Sequence, residues 1–124
     1  MEPSLIRILK TLSSETRLRI LNLLQYGDLC VGEIQTLLDV SQSNVSKHLN
    51  KLTWTGMLNY YQTAKYVYYK INPDIFKKHP FLKEILFSET QKIKQFEKDR
   101  EKLDQYKKSG CSCDDLKKGR VSFS

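Results

Sequence analysis

Residues 40–71 read VSQSNVSKHLNKLTWTGMLNYYQTAKYVYYKI, and this stretch decides the fold. It opens with hydroxyl and amide side chains, continues as a short amphipathic helix, and ends in two runs that alternate like a hairpin. No aspartate or glutamate interrupts it, although the chain carries 14 acidic residues. Lys47, His48, Lys51, Lys65 and Lys70 therefore face any partner without internal neutralisation. A helix that starts with small polar residues and leads into a basic hairpin is how a protein reads duplex DNA.

Within the stretch, Ser41 is placed to cap the helix. Asn44, three residues on, stands where a glutamate would complete a capping box. A carboxylate there would repel phosphate, so a neutral residue suits a helix whose start faces DNA. Val45, Leu49 and Leu52 repeat at four- and three-residue spacing and dock the helix, leaving Gln42, Ser43, Ser46, Lys47 and Asn50 outward. Gly56 ends it. Leu58–Gln62 and Tyr66–Ile71 are aromatic and β-branched, split by Thr63-Ala64-Lys65. That turn lacks the Asn-Gly or Asp-Gly of the commonest hairpins.

Working outward, Leu5, Ile6, Leu9 and Leu12 give a first short helix. Ser13 and Ser14 can cap a second, carrying Leu18, Ile20, Leu21, Leu23 and Leu24, which Tyr26-Gly27-Asp28 ends. Leu29-Cys30-Val31 reads as a short connection into a third helix, with a tight corner at Asp39-Val40-Ser41 before the reading helix. Pro73 can open the next helix. Residues 81–106 carry the longest helical signal, with Leu82, Leu86, Ile93, Phe96 and Leu103 on one stripe. So long a stripe exceeds what a domain this small can cover, and a partner helix from a second copy is the economical solution. The fold expected is mainly α with a small β-hairpin, a winged helix-turn-helix with a long C-terminal dimerisation helix. Residues 1–106 form the DNA-binding and dimerisation domain, and 107–124 a flexible cysteine-containing tail.

With 124 residues the chain is one domain, and its net charge of +7 favours a polyanionic partner. No apolar run approaches the roughly 20 residues needed to span a bilayer, and the N-terminus lacks a signal-peptide pattern. Cytoplasmic residence without a membrane partner is the expectation. An enzyme is disfavoured: there is no glycine-rich phosphate loop, no paired carboxylate motif, and neither histidine has an evident nucleophile partner. The three cysteines, Cys30, Cys111 and Cys113, are an odd number, and a structural disulfide is not expected in a reducing compartment. They are read as inert packing or reactive ligands.

The segments LSSETRLRILNLL, DLCVGEI and SQSNVSKHLNKLTWTGML resemble the ArsR/SmtB family of bacterial metal- and stress-sensing repressors over about residues 5–72. The resemblance implies a homodimer on an inverted-repeat operator in double-stranded DNA, released by an inducer and needing no cofactor to bind DNA. Carried onto this chain, Ser41, Gln42, Ser43, Asn44, Ser46, Lys47 and His48 lie on or beside the groove-facing side. Gln42 and Asn44 can offer paired donors and acceptors to base edges, while hydroxyls and lysines, Lys51 included, engage phosphates. Lys65 and Tyr66 suit phosphate or minor-groove contact. Dimerisation falls to Leu5, Leu82, Leu86, Ile93 and Phe96. Each has a plainer reading: Ser41 as a cap alone, His48 as a residue packed on the hairpin, Lys51 as a solvated charge. Trp54 and the tyrosines read as packing, since duplex reading needs no stacking platform.

Many arsenic sensors of that family carry Leu-Cys-Val-Cys-Asp-Leu at the third helix. Here the segment is Leu29-Cys30-Val31-Gly32-Glu33-Ile34, which keeps the first thiol and has glycine for the second. The tail offers Cys111-Ser112-Cys113 instead. Trivalent arsenic and antimony want three thiolates, so As(III) or Sb(III) on Cys30, Cys111 and Cys113 is the expected inducer site. Nearby lysines favour the thiolate, and Asp114 and Asp115 oppose it. Whether Cys30 joins the tail pair is open, and an organoarsenical could do with two thiols. A thiol-based redox switch or a ligand-independent winged-helix regulator are the alternatives.

Overall fold

In the computed structural model of the chain, residues 3–113 and Leu116 are described. Helix α1 spans Ser4–Leu12 and α2 Glu15–Leu24, the latter capped by Ser14 Oγ, which accepts the Arg17 backbone N–H at 3.4 Å. Ile20, Leu21, Leu23 and Leu24 of α2 are buried and form the centre of the core. A two-residue strand, β1 (Leu29–Cys30), leads straight into α3 (Val31–Leu38). Helix α3 stops at Asp39, whose left-handed backbone (φ 55°, ψ 49°) turns the chain sharply into α4, Gln42–Trp54. Aspartate tolerates that conformation better than most residues. Val45, Leu49 and Leu52 seat α4 on the core, each fully buried.

Strands β2 (Leu58–Thr63) and β3 (Tyr66–Ile71) form the expected hairpin, in antiparallel register with Tyr60 opposite Tyr69 and Tyr61 opposite Tyr68. These cross-strand pairs bring ring centroids to 5.8 and 5.7 Å, the contacts that stabilise a sheet exposed on much of both faces. The turn closes with Ala64 at φ 55°, a strained choice for a residue with a Cβ. Strand β1 adds to β3 in the order β1-β3-β2, with Leu29 opposite Tyr69 and Cys30 opposite Tyr68. The segment read as a connection is thus a sheet strand. At two residues it carries no alternation to read; only its partner defines it.

The single long helix expected over residues 81–106 is three pieces. After α5 (Asp74–Lys78), α6 spans Phe81–Phe87, a 3-10 turn covers Glu89–Lys92, and α7 runs Lys94–Ser109. The break at Ser88–Ile93 reorients the stripe. Leu82, Leu86, Phe96 and Leu103 are all buried in the chain's own core, whereas Ile93 is 43% exposed. Leu82, Leu86 and Phe96 therefore cannot form an outward dimer face, contrary to expectation. The domain covers them because α7 folds back on α2. Asp99, fully buried, accepts both Nε–H (2.8 Å) and Nη2–H (3.0 Å) from Arg19, and Asn22 donates to the Phe96 carbonyl at 3.2 Å. Arg19 also reaches the Leu38 carbonyl at 3.2 Å, tying α7, α2 and the end of α3 together. The apolar side chains left exposed on α1 are Leu5, Ile6 and Leu9. Helix α7 passes the boundary expected at residue 106. Residues 114, 115 and 117–124 of the expected tail lie outside the described residues. No helix among the described residues is long and apolar enough to cross a membrane.

Candidate nucleic-acid interface and thiol site

The N-terminal turn of α4 is exposed from Ser41 to Asn44. Ser41 Oγ accepts the Asn44 N–H at 3.3 Å and lies 3.5 Å from Ser43 Oγ, so Ser41 does act as the helix cap. Gln42, Ser43, Asn44, Lys47 and Lys51 are exposed, and Ser46 is half-buried behind them. No acid lies in the first turn of α4, so the positive end of the helix dipole is left for an incoming anion. Lys65 projects at the hairpin tip with its ammonium 5.5 Å from the Tyr66 ring centroid.

His48 meets α2, where its Nδ1 accepts the Arg17 Nε–H at 3.1 Å. Arg17 is held in turn by the Thr11 carbonyl at 3.1 Å. Burial, then the positive charges of Arg17 and Lys47, push the His48 imidazolium below its ordinary pKa. His48 is therefore a neutral acceptor that fixes an arginine beside the reading helix. Arg17 was not singled out as a site residue; a cation in the first turn of α2 gives no sequence hint that it meets α4.

The second constellation sits where β1 meets α3. Cys30 and Cys113 are both buried and their sulfurs are joined as a disulfide, with Cα atoms 6.9 Å apart across 83 residues. A disulfide is contrary to the sequence expectation: the fold seats buried Cys113 against buried Cys30 at the start of α3, and the pairing of Cys30 with the tail, open from sequence, is made here within one chain. Cys111 is a free, half-buried thiol that packs against the core. Among the described residues, the only cluster of potential metal-ligand atoms is Cys30, Glu33 and Cys113, within 4.8 Å of one another. Both carboxylate oxygens of Glu33 are engaged: Oε1 accepts the Cys30 N–H at 2.9 Å, and Oε2 accepts the Tyr106 hydroxyl at 2.5 Å. Burial and that bond raise the Tyr106 phenol well above its ordinary pKa, keeping it a donor. Tyr68 Oη lies 3.5 Å from Cys113 Sγ. Glu33 and Tyr106 were missed in the sequence. The Cys30-x-x-Glu33 spacing is the back-bonding half of a capping box and could have exposed Glu33.

A cleft of about 490 Å³ opens on these sulfurs. Val31, Gly32 and Gln35 of α3 form one wall, and Gln42 of α4 with Lys65 and Val67 of the hairpin form the other. The cysteine pair and three candidate DNA-contacting side chains, Gln42, Lys65 and Tyr66, thus line the same cavity.

Comparison with known proteins agrees with this geometry. The family model described as bacterial regulatory protein, arsR family, matches residues 14–60. The transcriptional repressor SdpR of Bacillus subtilis (strain 168) is 31% identical over 68 residues, 55% of this chain and 76% of that protein. The chain belongs to the ArsR family. Another ArsR-family relative, the arsenical resistance operon repressor of Escherichia coli (strain K12), is 42% identical over 71 residues; the match spans 56% of this chain and 61% of the relative's length. Among solved structures, a homodimeric winged helix-turn-helix DNA-binding domain from Mycobacterium bovis, a possible ArsR-family regulator, superposes with a TM-score of 0.60 at 26% identity. The superposition covers 69% of this chain and 80% of that one. The winged helix-turn-helix architecture is common to both.

Proposed function

We propose that this ArsR-family chain is a dimeric transcriptional repressor that binds an inverted-repeat operator and leaves it when a thiophilic inducer, trivalent arsenic or antimony, engages its cysteines. The observation that carries this reading is the shared cleft: Cys30 and Cys113 on one side, Gln42 and Lys65 on the other. Cys30 caps α3 and pairs with Tyr68 of the wing. A ligand that spreads the two sulfurs therefore strains α3, the corner at Asp39 and the wing together. An inducer acts only through such a difference in affinity between two arrangements. DNA contacts fall to Ser41, Gln42, Ser43, Asn44, Ser46, Lys47, Lys51, Lys65 and Tyr66, with His48 placing Arg17 nearby. The homodimeric relative supports assembly through a second copy, and α1 offers Leu5, Ile6 and Leu9 as the apolar face for it.

The test is a titration of operator affinity against arsenite in the reduced protein, repeated with each cysteine changed to serine. Release in the native chain and persistence in Cys30→Ser or Cys113→Ser is the expected outcome. The joined sulfurs favour a second reading, in which closure of the disulfide is itself the signal. Operator release by an oxidant but not by arsenite would select it.

A further inference from the structure

The number of thiols that meet determines which arsenic species the site can hold. Inorganic trivalent arsenic has three valences to fill with sulfur. The described residues bring two sulfurs together, Cys30 and Cys113, while Cys111 stays outside their cluster and packs on the core. The carboxylate in that cluster offers no third ligand, because both oxygens of Glu33 are already engaged by the Cys30 N–H and the Tyr106 hydroxyl. Releasing them would take from the buried Cys30 amide and the buried Tyr106 hydroxyl the carboxylate each now donates to.

What the site has in place of a third ligand is space. The cleft beside the sulfurs, about 490 Å³, falls within the range of small-molecule sites. Val31, Tyr66, Val67 and Leu116 give it apolar lining, and no carboxylate is among the described lining residues. Gly32 lines the cleft at its sulfur edge, where an added Cβ would lie 3.9 Å from Cys30 Sγ, in ordinary contact. The glycine supplies no donor atom there and no side chain to narrow the cleft.

We infer that the site is built for a monosubstituted organic arsenical, held by Cys30 and Cys113 with its organic group lying in the cleft between α3 and the wing. The inference rests on the thiophilic-inducer reading above and narrows it. In the dithiol state, R–As(OH)2 exchanges both hydroxyls for the two cysteine sulfurs. Two As–O bonds break, two As–S bonds form, and two thiol protons leave with the hydroxyls as two waters. Arsenic stays trivalent and no electrons are transferred. The carbon substituent occupies the valence that a third thiolate would otherwise have to fill.

The experiment uses the full chain reduced with a phosphine, which has no thiol to compete for arsenic, and two probes, phenylarsine oxide and arsenite. Operator release is followed by fluorescence anisotropy and the adduct by intact mass and peptide mapping. The phenyl arsenical is expected to release DNA at a concentration at least tenfold below that of arsenite. Its adduct should map to Cys30 and Cys113, and Cys111→Ser should leave both readouts unchanged. Gly32→Val should weaken the phenyl arsenical selectively. Equal or better potency of arsenite, or loss of the response in Cys111→Ser, overturns the proposal. So does an adduct that persists in Cys30→Ser, because the arsenical would then sit on the tail pair alone. A Cys30–Cys113 adduct that leaves the operator bound supports the site and instead removes the repressor-release reading.

Discussion

His48 shows how a side chain of α4 can serve by holding a neighbour in place. Its Nδ1 lone pair is committed to Arg17 at 3.1 Å, so protonation removes an acceptor and places two cations together. Its folded pKa is lowered, first by burial and then by Arg17 and Lys47. The unfolded chain therefore binds the proton more readily, and the native state loses stability as pH falls from about 6.5 toward the depressed folded value. Above that window the penalty is absent. An NMR titration should find the His48 midpoint below the ordinary imidazole value, and Arg17→Ala should move it upward. A midpoint at the ordinary value would show that the Arg17 contact is not formed in solution. Gln42 has the opposite character, exposed at the first turn of α4. If it makes a bidentate base contact, Gln42→Ala costs on the order of 1–3 kcal/mol on the operator and much less on random DNA. Equal losses on both would make it a positioning residue.

At the scale of elements, the reading helix and the wing were legible because their signals are local. Ser41, the Val45–Leu49–Leu52 spacing, Gly56 and the alternating tyrosines each report on residues within one turn or one strand. Strand β1 was not, since two residues have no period and Leu29-Cys30 becomes a strand only against Tyr69 and Tyr68. The C-terminal region misled for a related reason. Leu82, Leu86, Ile93, Phe96 and Leu103 keep helical spacing across a break they do not reveal, and the pair that folds α7 back, Arg19 with Asp99, is 80 residues apart. Asp99 is fully buried, so Asp99→Ala leaves the Arg19 guanidinium, which is mostly buried too, without its partner. Breaking such a pair costs about 3–5 kcal/mol, and urea unfolding of the variant should show a midpoint shift with little change in slope. A loss below about 1 kcal/mol would place the pair in the range of a surface contact and remove its role in holding α7.

At the scale of the whole molecule, burial separates the residues that hold the monomer from those free to join two. Leu82→Lys or Leu86→Lys should unfold the chain, because both sites are solvent-free. Leu5→Lys with Leu9→Lys, on the exposed face of α1, should give folded monomers by sedimentation with weakened operator binding. A double variant that sediments as a dimer would move the interface elsewhere. The thiol site was legible only in part. Composition and the Cys111-Ser112-Cys113 motif pointed to the cysteines, but the closure of Cys30 onto Cys113 joins residues 83 apart, and the engagement of Glu33 by Tyr106 joins residues 73 apart. Neither leaves a mark in local sequence. That closure places the cysteine pair in one cavity with side chains proposed to contact DNA. Its most direct test is operator affinity of the reduced chain in saturating arsenical, beside Cys113→Ser. The account predicts that the native chain lets go of DNA and the variant holds it; unchanged affinity of the native chain would contradict it.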